Sequence, residues 1–193
     1  MGKTLWKVDF GFLVLLAFLL AEETAFWGIH LLLPIFLHEA AHLIGLLFFG
    51  KKPRKIRFSL VGIGVEGGRE QLTRKQEIWV LFLGPGVNLV CFLLLALFLG
   101  KKNPSLAASL AAPHLILGLW NLLPMRITDG GRLLELILVR FFSYDTLRRF
   151  FFWLSFFLLL FLLALAFLLL FQGQPSLTLF LSVGYLTAQL FLL

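Results

Sequence analysis

Six apolar segments, separated by short polar loops, constrain this chain more than any other feature of its sequence. They fall near residues 10–21, 25–49, 78–99, 106–125, 150–171 and 177–193. A helix needs about 20 apolar residues to cross the hydrocarbon core of a bilayer, and all but the first segment are close to that length. The sequence therefore predicts an all-α, multi-pass integral membrane protein with about six transmembrane helices.

The overall composition leads to the same class. The 193 residues are 60% hydrophobic, include 23 Phe and only 14% charged residues, and have a mean hydropathy of +0.97. A soluble domain of this length cannot withdraw so much apolar surface from water. We expect a single membrane-embedded domain over residues 1–193, surrounded by the lipid bilayer.

The basic residues give a net charge of +7 and indicate how the chain is oriented. If the N-terminus is cytoplasmic and all six segments cross, every Lys and Arg except Lys101 and Lys102 falls on the cytoplasmic side. Cytoplasmic loops of membrane proteins carry such an excess of basic residues. We therefore predict that both termini are cytoplasmic, and that the charge reflects orientation and not a nucleic-acid partner.

Two of the loops carry patterns of their own. Residues 56–66 are rich in β-forming residues and glycines, which predicts a short, membrane-associated β-strand or hairpin. Residues 131–149 mix Arg132, Glu135 and Arg140 with aliphatic residues at helical spacing. That mixture is typical of an amphipathic helix lying in the membrane interface.

The segment 25–49 is interrupted by ionisable residues in the run His-Glu-Ala-Ala-His at 38–42. Such groups are costly inside a membrane and mark functional sites. Positions i and i+4 share one helix face, so His38 and His42 can bind one metal ion. Glu39 points beside that pair, where a glutamate serves as general base in zinc peptidases. The run predicts one zinc ion per chain, with Glu39 as the catalytic residue.

Zinc in a catalytic site takes a third protein ligand and keeps one position open for water. The candidates are Glu66, Asp129 and Glu135. Asp129 is favoured because it follows the fourth segment, which returns to the cytoplasmic side. His42 precedes the end of its own segment by seven residues, which places it about 10 Å below the same face. The active site is therefore expected toward the cytoplasm.

Two more polar residues lie within the apolar segments. Asn88 is interpreted as a residue that hydrogen-bonds between helices. His114 follows Pro113, and we expect it to hydrogen-bond a carbonyl that the proline leaves without a donor.

Three runs of residues carry a family resemblance. They are His38-Glu39-Ala40-Ala41-His42, Gly84-Pro85-Gly86-Val87-Asn88, and Asn121-Leu122-Leu123-Pro124 followed by Asp129-Gly130-Gly131. In this order they resemble the site-2 protease family of intramembrane zinc metalloproteases. Within that family the chain is most similar to the sporulation branch, the stage IV factor B-like proteases that process the pro-sigma-K precursor.

The resemblance implies roles for particular residues. Zinc would be bound by His38, His42 and Asp129, and Glu39 would be the catalytic base. Asn121 and Pro124 would shape the site or contact substrate, and an edge strand around 56–66 would hold substrate by strand addition. The sporulation branch commonly adds a nucleotide-sensing domain after its sixth helix. Because the sequence ends at Leu193 within that segment, no C-terminal regulatory domain is expected.

The sequence thus predicts a zinc metalloendopeptidase that hydrolyses a peptide bond in or near the membrane. Its substrate would be a membrane-associated protein such as a sigma-factor precursor, and inhibitory or regulatory membrane partners are compatible with this function. The main alternative is a catalytically silent binding or sequestering protein of the same fold, which the presence of Glu39 disfavours. A cation transporter is disfavoured because the outer halves of the segments are almost uninterrupted Leu and Phe.

Overall fold

The computed structural model describes residues 5–10, 13, 25–59, 62–125, 128–173, 183–184 and 187. The chain forms two compact units, Met1–Leu122 and Leu123–Leu193. The apolar segments predicted at 10–21 and 177–193 lie almost wholly outside the described residues. The count of six transmembrane helices therefore stays a prediction, as does the single domain.

The described residues of the first unit form three strands and three long helices. In chain order these are β1 (Leu5–Val8), α1 (Ala25–Phe48), β2 (Lys55–Ser59), β3 (Gly62–Glu66), α2 (Arg74–Leu99) and α3 (Pro104–Leu122), with a short 3-10 turn at Arg69–Gln71 before α2. The second unit contains α4 (Asp129–Leu138) and α5 (Tyr144–Phe171).

Three of the described helices are long and apolar enough to cross a membrane, by length and composition. They are α2, α3 and α5. In α1 the apolar stretch Leu32–Phe48 is shorter. Many apolar side chains of α5 point outward, including Phe157, Phe161 and Phe171. An aqueous surface would disfavour such exposure, whereas lipid accepts it, so the structure supports an integral membrane protein.

Close packing of α1 against α2 depends on small residues. A Cβ atom built on Gly45 would lie 3.2 Å from Val80 Cγ2 and 2.6 Å from Leu83 Cδ1. The α3 face toward these helices is also built from small residues and one histidine, with Ala107, Ala111, His114 and Gly118 buried in a 4-3-4 spacing. Small residues let helix backbones approach closely in membranes, where van der Waals packing and hydrogen bonds replace the hydrophobic effect.

The three strands form one sheet in the order β1-β2-β3. β2 pairs antiparallel with β3, from Lys55 opposite Glu66 to Ser59 opposite Gly62. β1 pairs parallel with β2, from Leu5 opposite Lys55 to Val8 opposite Phe58. The predicted β-region at 56–66 therefore contains two strands, and residues 60–61 between them lie outside the described part.

Within the predicted substrate-binding region 56–66, β3 lies at an edge of the sheet and β2 does not. β1 covers one side of β2 and β3 covers the other, so β2 is the central strand. A central strand has no edge to offer a peptide, because its backbone groups are already bonded on both sides. Among the described residues, the edge strands are β1 and β3.

The second unit departs from the single interfacial helix predicted over 131–149. α4 ends at Leu138, and residues 144–149 already belong to α5. The break has a local cause, because Ser143 caps α5 by accepting a hydrogen bond from the Thr146 amide at 3.4 Å. α4 has its own cap at Thr128, whose side chain accepts from the Gly131 amide at 3.3 Å.

Candidate metal centre

His38 and His42 meet in the interior of the first unit. Both are almost fully buried, with 4% and 1% of their surface exposed. Their ring planes are nearly perpendicular, with centroids 4.7 Å apart. The two Nε2 atoms lie 3.1 Å from each other. The helical spacing of four residues therefore does bring two ring nitrogens to one point, as the sequence predicted.

The position of the His42 proton follows from its neighbour on α2. Nδ1 of His42 lies 2.7 Å from the backbone carbonyl oxygen of Val80. A carbonyl only accepts, so Nδ1 must carry the hydrogen and Nε2 keeps its lone pair. Metal-bound histidines use the same device, in which a hydrogen bond from one ring nitrogen directs the other toward the metal.

Gly84 of α2 makes room for the two imidazoles. A Cβ atom at this position would lie 2.7 Å from His42 Cε1 and 2.8 Å from His38 Cε1, and it would also overlap His42 Nε2. Such distances are shorter than real carbon contacts allow. The site therefore requires glycine here, and two buried imidazoles with converging Nε2 atoms form a cradle that fits a zinc ion.

Asn88 and His114 extend this cluster through α2 into α3. Asn88 Nδ2 lies 3.2 Å from His38 Nδ1, and Asn88 Oδ1 lies 3.1 Å from His114 Nδ1. Both residues are buried, with 0% and 3% of their surface exposed. Asn88 thus joins helices as predicted. His114 Nδ1 pairs with the Asn88 side chain and not with a carbonyl freed by Pro113. The hydrogen-bond partner predicted for His114 was therefore wrong.

Glu39 lines a pocket formed by α1, β1 and β2. The pocket has a volume of about 200 Å³ and is lined by Trp6, Phe36, Glu39, Ala40, Leu43, Ile56 and Phe58. The rings of Trp6 and Phe58 stack across β1 and β2, with centroids 6.0 Å apart and planes 15° from parallel. Glu39 is the one ionisable residue of this lining. The role of Glu39 as a general base stays a prediction, and its place in the lining puts an ionisable group at this apolar pocket.

Three other predicted site residues lie at or beyond the end of α3. Asn121, in its last turn, donates from Nδ2 to the Leu117 carbonyl oxygen at 3.1 Å. Pro124 is half-buried in the turn that follows. Asp129 is half-buried in the first turn of α4, in the second unit.

The turn before Asp129 is held by its neighbour Thr128. Thr128 Oγ1 donates to the Met125 carbonyl oxygen at 2.8 Å, and the Leu123 carbonyl is also in contact with it. The same hydroxyl accepts from the Gly131 amide. A hydroxyl that serves both the turn and the helix start fixes the backbone from which Asp129 projects.

Comparisons with known proteins point to one fold. The structure resembles the Site-2 Protease from Methanocaldococcus jannaschii with a TM-score of 0.68, over 96% of this chain and 88% of that chain, at 21% sequence identity. The fold is that of a site-2 protease. No protein-family model matches the sequence.

A curated relative is similar in sequence. It is the "Putative zinc metalloprotease Rip3" of Mycobacterium tuberculosis, from strains Erdman and H37Rv, which is 34% identical over 121 residues. The match includes 58% of this chain and 31% of Rip3. The chain thus spans about a third of the length of the curated relatives it matches. Together with the fold, this similarity supports the site-2 protease family.

Sequence reasoning missed three parts of the centre. These are the Val80 carbonyl, the space that Gly84 provides, and the contact between Asn88 and His114. The first involves a backbone atom and carries no sequence signal. The third has one, because the 4-3-4 spacing of small residues around His114 marks the α3 face that packs inward.

Proposed function

We propose that this protein is an intramembrane zinc metalloprotease that hydrolyses a peptide bond of a membrane-associated protein. The observation that carries the proposal is the pair of buried imidazoles, whose Nε2 atoms lie 3.1 Å apart. Glu39 lies between the two histidines in sequence and lines a pocket. The similarity to Rip3, a protein whose name assigns it to the zinc metalloproteases, supports the same activity.

In this proposal His38 and His42 supply two nitrogen ligands, and Asp129 supplies the third ligand as a carboxylate oxygen. Two histidines and one carboxylate are a donor set that catalytic zinc sites use. One zinc ion would be bound per chain. When bound, it activates a water molecule and polarises the scissile carbonyl.

Glu39 acts as the base in this scheme. Its carboxylate accepts the proton of the attacking water and returns it to the amine that leaves when the peptide bond breaks. Asn121 and Pro124 shape the approach to the site. Their proposed role rests on the family resemblance.

The substrate binds in extended form, because a helix hides its carbonyls in internal hydrogen bonds. We assign the peptide to the outer edge of β1, since β2 is already paired on both sides and Trp6 of β1 lines the Glu39 pocket. Strand addition supplies the backbone hydrogen bonds. An apolar substrate side chain next to the scissile bond occupies the pocket, whose other walls are apolar.

The finer assignments follow from the sequence. A sigma-factor precursor as substrate, the sporulation branch and inhibitory membrane partners rest on the family resemblance. The cytoplasmic position of both termini and of the active site rests on the distribution of Lys and Arg.

The decisive test uses the purified full chain in proteoliposomes loaded with zinc. A panel of dye-labelled, single-span peptides with helix-breaking residues serves as probe. We expect cleavage by the unaltered chain and none by Glu39→Gln, with equal zinc in both, because Glu39 is a base and not a ligand. Equal cleavage by the two proteins overturns the mechanism. Peptide binding without cleavage by the unaltered chain instead favours the sequestering protein.

A further inference from the structure

A continuous line of hydrogen bonds runs through the interior of the first unit and crosses three helices. We call it the imidazole–amide chain. It consists, in order, of the Val80 carbonyl, His42, His38, Asn88 and His114, with successive distances of 2.7, 3.1, 3.2 and 3.1 Å. Each of its four side chains is nearly or fully buried, so water does not compete for these bonds.

In this structure, hydrogen-bond donation runs in one direction along the imidazole–amide chain. His42 donates from Nδ1 to Val80, so its Nε2 accepts, and the Nε2 of His38 must be the donor between the two rings. A neutral His38 then accepts at Nδ1, from the amide group of Asn88. The Asn88 oxygen in turn accepts from Nδ1 of His114.

Zinc ligation by both Nε2 atoms would require the opposite direction at His38. Its Nε2 needs a free lone pair to ligate, so the single proton of the neutral ring must reside on Nδ1. A protonated Nδ1 cannot face an amide NH2 group, since both would be donors. Asn88 must therefore turn its oxygen toward His38. Its NH2 group then faces His114, whose Nδ1 accepts while its proton resides on Nε2.

We propose that Asn88 and His114 are positioning residues that hold His38 in its metal-ligating tautomer, and that the Asn88 amide reverses when zinc binds. Each imidazole keeps one proton throughout, so the reversal changes no charge. Asparagine suits this role because its two faces, one donor and one acceptor, exchange places on a half-turn of the amide. The proposal rests on zinc ligation by His38 and His42 but not on proteolysis.

Zinc affinity provides the first test, measured on the detergent-purified full chain by competition with a chelator. Removing a group that orients a metal-bound histidine lowers affinity by about 10–100-fold, and we expect a loss of this size for Asn88→Leu. Asn88→Asp should retain the zinc affinity that Asn88→Leu loses, because both carboxylate oxygens accept and can fix the Nδ1 proton of His38. Cys91→Ala, on the same helix, is the matched control and should bind zinc normally. Unchanged affinity in Asn88→Leu overturns the proposal.

The tautomer of His114, measured on the unaltered chain with and without zinc, provides the second test. With 15N-histidine labelling, the 15N shift of His114 Nδ1 should move from the protonated to the unprotonated range when zinc is added. His114→Asn identifies the signal by its loss and should retain zinc binding better than His114→Leu, because its amide can still pair with Asn88. The same His114 tautomer with and without zinc overturns the reversal. Zinc binding and a His114 switch in a chain that cleaves nothing would leave this inference standing and remove only the protease function.

Discussion

Nδ1 of His42 lies 2.7 Å from the backbone carbonyl oxygen of Val80, although the two residues belong to different helices. This bond fixes the ring orientation and leaves Nε2 aimed at His38. A bond to the backbone is insensitive to the side chain at position 80, so it depends only on the distance between α1 and α2. The glycines that set this distance, Gly45 and Gly84, are therefore part of the metal centre.

The first prediction concerns Gly84. In Gly84→Ala, the new methyl group would lie within 2.8 Å of both histidine rings, and the rings would have to leave the ligating geometry. We expect zinc affinity to fall at least about tenfold, the scale seen when a metal site loses its supporting contacts. The measurement is zinc content after dialysis against a weak chelator.

Gly86→Ala is the matched control for this prediction. A methyl group at position 86 meets Phe82 carbon atoms at 3.7 Å, which is an ordinary contact, and the two variants lose the same helical glycine flexibility. If both variants bind zinc like the unaltered chain, Gly84 does not serve as the cradle for the rings.

The second prediction concerns the third ligand. Asp129→Asn keeps the size of the side chain at the start of α4 but removes its negative charge, so we expect zinc binding to fall sharply. Glu66→Gln and Glu135→Gln are the matched changes at the two rival candidates and should leave the zinc content near one ion per chain. Loss of metal in the Glu66 variant alone would show that the carboxylate ligand comes from β3.

The sequence predicted those features that local patterns decide. The apolar segments at 78–99, 106–125 and 150–171 correspond to α2, α3 and α5, because hydropathy over about 20 residues reflects the environment directly. The observed helix ends differ from the predicted segment ends for local reasons. α2 begins at Arg74, before the apolar segment, since Thr73 and Gln76 form a reciprocal capping pair.

Features that depend on distant residues could not be predicted in this way. β1 has only four residues, and its partner β2 lies 50 positions further along the chain, so periodicity cannot reveal it. At the metal centre, the spacing of His38 and His42 is local and was predicted. Predicting the contact of Asn88 with His38 requires knowledge of which face of α2 packs against α1. A single sequence does not provide this information.

The third prediction concerns the Glu39 pocket. Ala40→Phe places a large side chain in a space of about 200 Å³, so we expect slower cleavage of substrates with a large apolar residue beside the scissile bond and little change for those with alanine there. Zinc content should be unaltered. Ile44→Phe, at an exposed position on the same helix, is the control and should cleave both substrates normally. An equal loss for both substrates would contradict a role in side-chain selection.

The fourth prediction tests strand addition to β1. The amide groups of Leu5 and Asp9 donate inward, to the carbonyl oxygens of Arg54 and Phe58. Amide groups alternate in direction along a strand, so those of Trp6 and Val8 point to the outer edge. Val8→Pro removes an outward donor without breaking the pairing with β2, and proline is tolerated at such edge positions.

We therefore expect Val8→Pro to raise the KM for peptide substrates by about fivefold to tenfold, since one hydrogen bond contributes about 1 kcal/mol. The kcat and the zinc content should be nearly unchanged. Lys7→Pro provides the contrast, because it removes an inward donor and should weaken β1 itself, which limited proteolysis near the N-terminus would detect. Val8→Ala separates the loss of the side chain from the loss of the donor. If Val8→Pro and Val8→Ala have the same KM, the peptide does not pair with the outer edge of β1, and β3 remains the edge strand available to it.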